Sequence, residues 1–405
     1  MANPEIREHL VLKPVGLEHL DQFDKLLRYV FQVTNRVLQE SGYDEGELVK
    51  AKRPMLEKAD VFGWFDDDQL VSQVVVHSYK VNIHGKLFKM GGLTGVGTYP
   101  EYAGMGLMND LIKVALKKMK DNGQLVSYLY PYSIPYYRKK GWEIMSETLT
   151  FSIKDTQIPK YEDSTGFVRR VPVNHKDIIR TYDRFARVNH GAMLRKKDEW
   201  EEYWRWENEE ERMAAVFYDS KRKPQGFILY WIADDIFHIK EFIYLTQEAR
   251  KGLWDFIHAH MSMIEFVKGT IYKNDPIAFL MEDSQIEETL SPYYMARIVD
   301  VAAFLKNYPF EKKAKSFCFL VTDPIAEWNN GVFSVEWNDS GSIKVSRKPK
   351  GKCISINIQT LTALLMCFRR PSYFHKIEYM KTDLETLGVL EEIIPDEYPY
   401  FSDYF

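Results

Sequence analysis

Apolar and polar positions follow two periods along this chain, and the order of those periods repeats. Leu20, Phe23, Leu26, Leu27 and Val30 recur at helical spacing and predict a helix over 17–40. The runs 61–65, 69–83 and 87–99 read as strands, joined by the turn signals Asp66-Asp67-Asp68 and His84-Gly85, so an antiparallel meander is expected. A helix over about 107–121 follows. Its apolar face is Met108, Leu111, Ile112, Ala115, Leu116 and Met119, and Gly123 stands as its C-cap. Strands at 125–130 and 148–154 close this unit.

The same order then returns: helices near 174–187 and 197–206, strands at 213–218, 226–232 and 236–245, a helix over 247–260 and a strand at 266–272. Where the meander meets the helix, YLTQEARKGLWDFI stands against TYPEYAGMGLMNDLI. Ala249, Gly252 and Leu253 fall where Ala103, Gly106 and Leu107 fall, with Arg250 in place of Gly104. This reads as a duplicated domain whose second copy has lost part of a phosphate loop. After about residue 290 the texture changes. Strands near 317–323, 332–338 and 353–358 precede the apolar helix 361–368 and an acidic, aromatic end. The expected domains are 1–155, 156–290 and 291–405.

Composition narrows the function. The 405 residues carry a formal net charge of -4, which excludes a global electrostatic grip on nucleic acid. No apolar run approaches the roughly 20 residues a membrane helix needs, and the first residues form no apolar signal region. Cys318, Cys353 and Cys367 lie far apart and suggest neither a disulfide framework nor a zinc site, and the histidines show no metal-ligand spacing. The expectation is a soluble, cytoplasmic protein without a metal. From Thr382 onward the chain holds seven acids, no basic residue, and the aromatics Tyr398, Tyr400, Phe401, Tyr404 and Phe405. A solvated tail is one reading; an ordered acidic end that attracts cations is the other.

The junction after the first meander carries the chemistry. A strand ends at GVGT, the chain turns through YPEYAGMG, and a helix begins. Gly104 and Gly106 permit tight turning and close backbone approach. A helix N-terminus offers free N–H groups and a positive dipole end, a cradle for pyrophosphate. The loop is no P-loop, because no GK[ST] follows.

GVGTYPEYAGMGLMNDL followed by PYYRKKGW resembles the GNAT family of acetyl-coenzyme A-dependent N-acetyltransferases. That family's loop pattern is [QR]xxGx[GA], and its later signature is roughly FYxKxGF. Glu101 and Ala103 depart from the pattern while the glycines are kept. Along nearly its full length the chain is similar to the Eis group: two tandem GNAT domains, the second degenerate, then a sterol-carrier-protein-like domain ending in an aromatic residue. The fold class implied is α+β.

The resemblance implies acetyl-coenzyme A as co-substrate. Val96, Gly97 and Thr98 would line the pantetheine arm. Gly104, Met105, Gly106, Leu107, Met108 and Asn109 would hold the pyrophosphate, and Tyr132 and Ser133 would touch the cofactor. Tyr137, four residues before Gly141, takes the position of the family's catalytic tyrosine. Its hydroxyl, with an ordinary pKa of about 10, can protonate a leaving thiolate; Tyr136 is the alternative. The base implied is the C-terminal carboxylate of Phe405, with Phe405 and Tyr404 anchoring the tail through their rings. Asp66, Asp67, Asp68 and Glu101 rank below it, the aspartates reading as turn residues. Trp200 and Trp204 share a helix face and form either a core stripe or, with Trp206, a substrate wall. The acidic end motivates a small cationic amine substrate, aminoglycoside- or polyamine-like. Protein lysine, or lipid carriage on an inactive scaffold, are the competing readings. The family resemblance implies a homo-oligomer, with a hexamer as the expected form.

Overall fold

The computed structural model describes residues 4–34, 53–54, 56–161, 163–206, 212–272 and 277–405. Strands β1 (Val11–Pro14), β2 (Asp60–Asp66), β3 (Gln69–Ile83) and β4 (Lys86–Thr98) form the meander. Alternation over β2 puts Val61, Gly63 and Phe65 inside, as a half-buried strand requires. The helix Leu107–Asp121 follows, then β5 (Val126–Leu129), the short helix Ile134–Arg138, β6 (Glu143–Ile144) and β7 (Glu147–Lys154). A short helix Pro4–His9 precedes β1, and the helix expected over 17–40 spans Leu20–Val30, the stretch its apolar positions cover; 35–40 lie outside the described residues.

The second copy comprises β8 (Phe167–Val171), helices Lys176–Val188 and Lys197–Trp206, β9 (Met213–Tyr218), β10 (Pro224–Ala233), β11 (Ile236–Tyr244), helix Gln247–His258, β12 (Phe266–Tyr272) and β13 (Glu287–Pro292). After β14 (Met295–Ile298) and helix Val301–Asn307 come β15 (Phe317–Thr322), β16 (Gly331–Trp337), β17 (Ile343–Ser346), β18 (Lys352–Asn357), helices Ile358–Leu365 and Pro371–Lys376, β19 (Met380–Lys381) and helix Leu384–Ile393.

Among the described residues these strands form three sheets. Their orders are β1-β2-β3-β4-β5-β14-β6, β13-β7-β12-β11-β10-β9-β8 and β17-β16-β15-β18-β19. In each seven-stranded sheet only the pair straddling the long helix is parallel, β4 with β5 and β11 with β12; the other pairs are antiparallel. The two sheets also exchange strands. β7 leaves the first unit to pair with β12, and β14 returns from beyond the second to lie between β5 and β6. A division at 155 and 290 therefore does not follow the sheets: residues 147–154 belong to the second and 295–298 to the first. Strand pairing across distant sequence is invisible to local periodicity.

The third unit packs its apolar face onto the first. Val81, Phe88, Met90, Val126 and Tyr128 share one buried cluster with Phe304, Phe319, Phe333, Leu361 and Phe401. Cys318 and Cys353, 35 residues apart, are register partners on the parallel strands β15 and β18 and are joined as a disulfide. The expectation of unpaired cysteines is corrected; a crossover connection brings them together. Trp200 and Trp204 stack with ring centroids 5.2 Å apart in a buried cluster, which settles them as core.

The acidic end is not left as free negative charge: its acids are paired, most of them at the exposed surface and Asp403 in the interior. Glu385 meets Lys315, Glu391 and Asp396 meet Arg370, and Glu392 meets Lys312. Asp383 caps its helix at Thr386 and faces Lys352. Glu397 meets His84, and Asp403 meets Arg195. Each acid finds its base far along the chain.

Candidate active site

β4 and β5 pair in parallel through Met90–Val126, Gly91–Ser127 and Gly92–Tyr128, and the pairing then stops. β4 continues to Thr98, joined to β3 alone. Among the described residues no strand pairs its other edge over 93–98, so the backbone of Val96, Gly97 and Thr98 keeps one edge without a strand partner. A bulge between Gln73 and Val75, opposite Gly95 at φ 59°, bends the strand there.

Beyond the end of β4, Gly104 and Gly106 take φ of 79° and 80°, a region that side chains avoid. Gly106 caps the helix Leu107–Asp121 without a side chain, so its first N–H groups stay open to an anion. Met105 and Leu107 are buried and anchor the loop from beneath; only their backbone can meet a ligand. Asn109 accepts from Lys140 Nζ at 2.6 Å. Burial, and secondarily Lys113 and Lys139, hold the Lys140 ammonium below its ordinary pKa.

Sequence reasoning missed Arg7. Its guanidinium bonds the Met105 carbonyl and Asp110 of the same loop and helix. Arg7 supplies a cation where Glu101 and Ala103 do not. No local pattern marks it, because the contact spans about a hundred residues of sequence. The residues present fit a pyrophosphate-bearing thioester cofactor: an uncapped helix end, a two-glycine turn, flanking cations and an unpaired strand edge.

Tyr137 is 6% exposed and shares an apolar cluster with Leu93, Leu129 and Trp142. Tyr136 beside it is half-buried, its ring 5.2 Å away and edge-on. Burial, and secondarily Tyr136, pushes the Tyr137 hydroxyl above its usual pKa. The turn after it depends on Gly141 at φ 94°. A Cβ there would run into Arg297, whose guanidinium bonds the Lys140 carbonyl and Asp323 of the third unit. Gln359 also donates to the Arg138 carbonyl at 2.7 Å. The third unit thus braces the tyrosine's turn; removing one partner of a buried pair of this kind costs about 3–5 kcal/mol. Tyr132, by contrast, is 89% exposed and stands out from the surface, and Ser133 caps the helix Ile134–Arg138 only through its backbone.

The chain end packs against β4 where that strand parts from β5. The half-buried Phe405 ring lies 4.9 Å from Tyr79 and 5.4 Å from Tyr294, and its N–H donates to the Tyr294 hydroxyl at 3.1 Å. Gly92, the last residue of β4 paired with β5, lies directly beneath that ring. Tyr404 does not anchor as expected: it is 70% exposed and meets only the edge of Tyr130. Tyr130, Tyr293 and Tyr294 complete an aromatic wall. Of the alternative bases, Asp66 accepts from the Tyr102 hydroxyl at 2.7 Å and Asp67 sits in a turn at φ 50°, in keeping with turn roles.

Among the described residues the second copy shows no such site. Arg250 is buried where Gly104 would be, bonded to Gln247 and Tyr161. Gly252 serves to pack the helix on Phe217. Phe242, Trp254, Ile277 and Leu280 fill the cleft to a cavity of about 10 Å³, room for one water at most.

The fold also gathers His84, His190 and Glu397 within 4.8 Å, a grouping that local spacing could not reveal. The imidazoles stack 3.7 Å apart at 16°, so their in-plane lone pairs cannot converge on one ion at about 2.1 Å. Both His190 nitrogens are taken, by the His84 N–H and the Met366 carbonyl. We read this as a hydrogen-bonded seam between the units.

Profiles of the acetyltransferase (GNAT) domain match residues 12–145 and 191–298, and that of the sterol carrier protein domain matches 301–402. The chain thus carries two GNAT domains followed by a sterol carrier protein domain. A protein of unknown function from Enterococcus faecalis V583 is 26% identical, covering 98% of this chain and 99% of its own, with a TM-score of 0.88. A GCN5-related N-acetyltransferase from Anabaena variabilis is 22% identical over 98% and 100%, TM-score 0.84. Eis1 from Mycobacterium abscessus shares the fold at 14% identity over 98% and 100%, TM-score 0.79. No curated protein matches the chain.

Proposed function

We propose that this protein transfers an acetyl group from acetyl-coenzyme A to a primary amine. The observation that carries the reading is the chain end: Phe405 rests on Gly92, where β4 and β5 part. Acetyl-coenzyme A supplies the acetyl thioester. A C–N bond forms as the C–S bond breaks, giving an amide and a free thiol. The Phe405 carboxylate accepts the proton lost by the amine nitrogen, and the Tyr137 hydroxyl donates one to the departing sulfur. Residues Val96–Thr98 receive the pantetheine amides through their unpaired backbone. Gly104–Asn109, Arg7 and Lys140 receive the phosphates.

The acceptor we favour is a cationic amine. Support comes from the tyrosine wall, whose ring faces attract cations, and from the terminal carboxylate; the other tail acids are already paired. Lipid carriage has less support, because the apolar face of the third unit is committed to packing on the first. An assay of free-thiol release over a panel of amines tests the reading. Acetyl-coenzyme A-dependent thiol release with at least one primary amine is expected. Silence across polyamines, aminoglycosides and lysine peptides would refute it.

A further inference from the structure

Arg195 is buried in the second GNAT unit, between two carboxylates. Its Nε donates to Asp403 Oδ1 at 2.6 Å, and its Nη1 and Nη2 donate to Glu241 at 3.3 and 3.1 Å. The rings of Tyr182, Tyr203 and Trp200 surround the guanidinium, with centroids 3.9, 4.2 and 4.7 Å from its carbon. One cation faces two anions, and three hydroxyls satisfy the remaining acceptors. Tyr182 donates to Asp403 Oδ2 at 3.0 Å, Tyr203 to Glu241 at 3.1 Å and Ser402 to Glu241 at 3.0 Å.

Burying three charges is a poor route to stability, because desolvation offsets the attraction. The arrangement does fix position. Asp403 is two residues from the chain end, and the last five residues have no regular secondary structure. A terminus of that kind ordinarily frays. Here both ends of the final span are held. The Asp403 carbonyl accepts from Tyr293 at 2.9 Å, and Phe405 N–H donates to Tyr294. Two residues reach at most about 7 Å, so the hold on Asp403 dictates where the terminal carboxylate can stand.

Apart from Ser402 and Asp403 the clamp comes from the second unit, whose own cofactor cleft is filled. We propose that this unit acts as the clamp for the chain end, with Arg195 a positioning residue that places the Phe405 carboxylate in the first unit's site. The proposal rests on the reading of that carboxylate as the base. It gives the inactive copy a part in the reaction of the active one.

The test compares three full-length variants with the wild type. Asp403→Asn keeps the side-chain volume and loses the charge that Arg195 holds. Its kcat should fall about ten- to a hundredfold, a part of what a general base contributes. The acetyl-coenzyme A Kd by calorimetry should be unchanged, and KM for the amine should move less than kcat. The acidic limb of the kcat–pH profile, which reports the base, should shift. Tyr182→Phe removes one hydrogen bond from Asp403 far from the acceptor and should lower kcat less, in the same direction. A chain extended by one glycine after Phe405 converts the carboxylate to an amide and should be inactive. If the extension is inactive while Asp403→Asn turns over normally, the clamp is refuted and the base stands. If the extension is active, the base reading itself fails. Should Asp403→Asn not fold, Tyr182→Phe decides: unchanged kcat and pH profile would overturn the clamp.

Discussion

Phe405 lies on Gly92 so closely that a Cβ at Gly92 would come within 2.7 Å of the Phe405 ring. The same Cβ would also meet Tyr79 at 2.7 Å. Gly92→Val should therefore lift the chain end off the cleft without touching any ionisable group. Turnover should drop about tenfold or more, since a base must sit within about 3 Å of its partner or a bridging water. Carboxypeptidase should release Phe405 and Tyr404 faster than from the wild type. Equal release rates would show that the ring does not hold the tail.

Tyr137→Phe should lower kcat by about 10²–10⁴ with the acetyl-coenzyme A Kd unaltered. Burial raises the Tyr137 hydroxyl above its ordinary value, so the acid form persists where a free tyrosine would ionise. Wild-type turnover should accordingly show no loss from this group as pH rises through 10. An alkaline limb at pH 10 that vanishes in Tyr137→Phe would contradict the environment described.

Arg7→Ala should weaken acetyl-coenzyme A binding about fivefold, the scale of a partly exposed ion contact, and leave kcat at saturation nearly unchanged. Titration calorimetry should give one site per chain, because Arg250 and the filled cleft close the second copy. Two equivalent sites would overturn that assignment.

The seam at His190 predicts a dependence of stability on pH. Burial, then the neighbouring His84, depresses the His190 pKa well below 6.5. The unfolded chain therefore binds a proton below about pH 6.5 that the folded chain does not. Stability from this group is present above that pH and is lost as pH falls toward the depressed value. The wild-type melting temperature should decline below about pH 6, and His190→Gln should flatten that decline. An unchanged slope would assign it to other groups.

Much of this fold was readable where periodicity is local. The helix Leu107–Asp121 and the strand Gln69–Ile83 have the limits their patterns predict. Motif and family resemblance single out the loop glycines, Tyr137 and Phe405 from sequence. What stayed hidden depends on distance in sequence. β14 reads as the opening of the third region, yet it pairs with β5. Arg195, in AMLRKKDEW, looks like one more solvated cation; its partners stand at 241 and 403. The acidic end misled for the same reason, since composition records charges and not what they meet.

The central claim is that the terminal carboxylate of Phe405 is the base, and moving it tests that most directly. The measurement is kcat for a full-length chain with one glycine added after Phe405, beside one lacking Phe405. The first has an amide where the carboxylate stood; the second has its carboxylate displaced by about 3.5 Å. Both should lose about 10²–10⁴ in kcat while binding acetyl-coenzyme A like the wild type. Normal turnover in the extended chain would contradict the account and return the role of base to a side-chain carboxylate in the first unit.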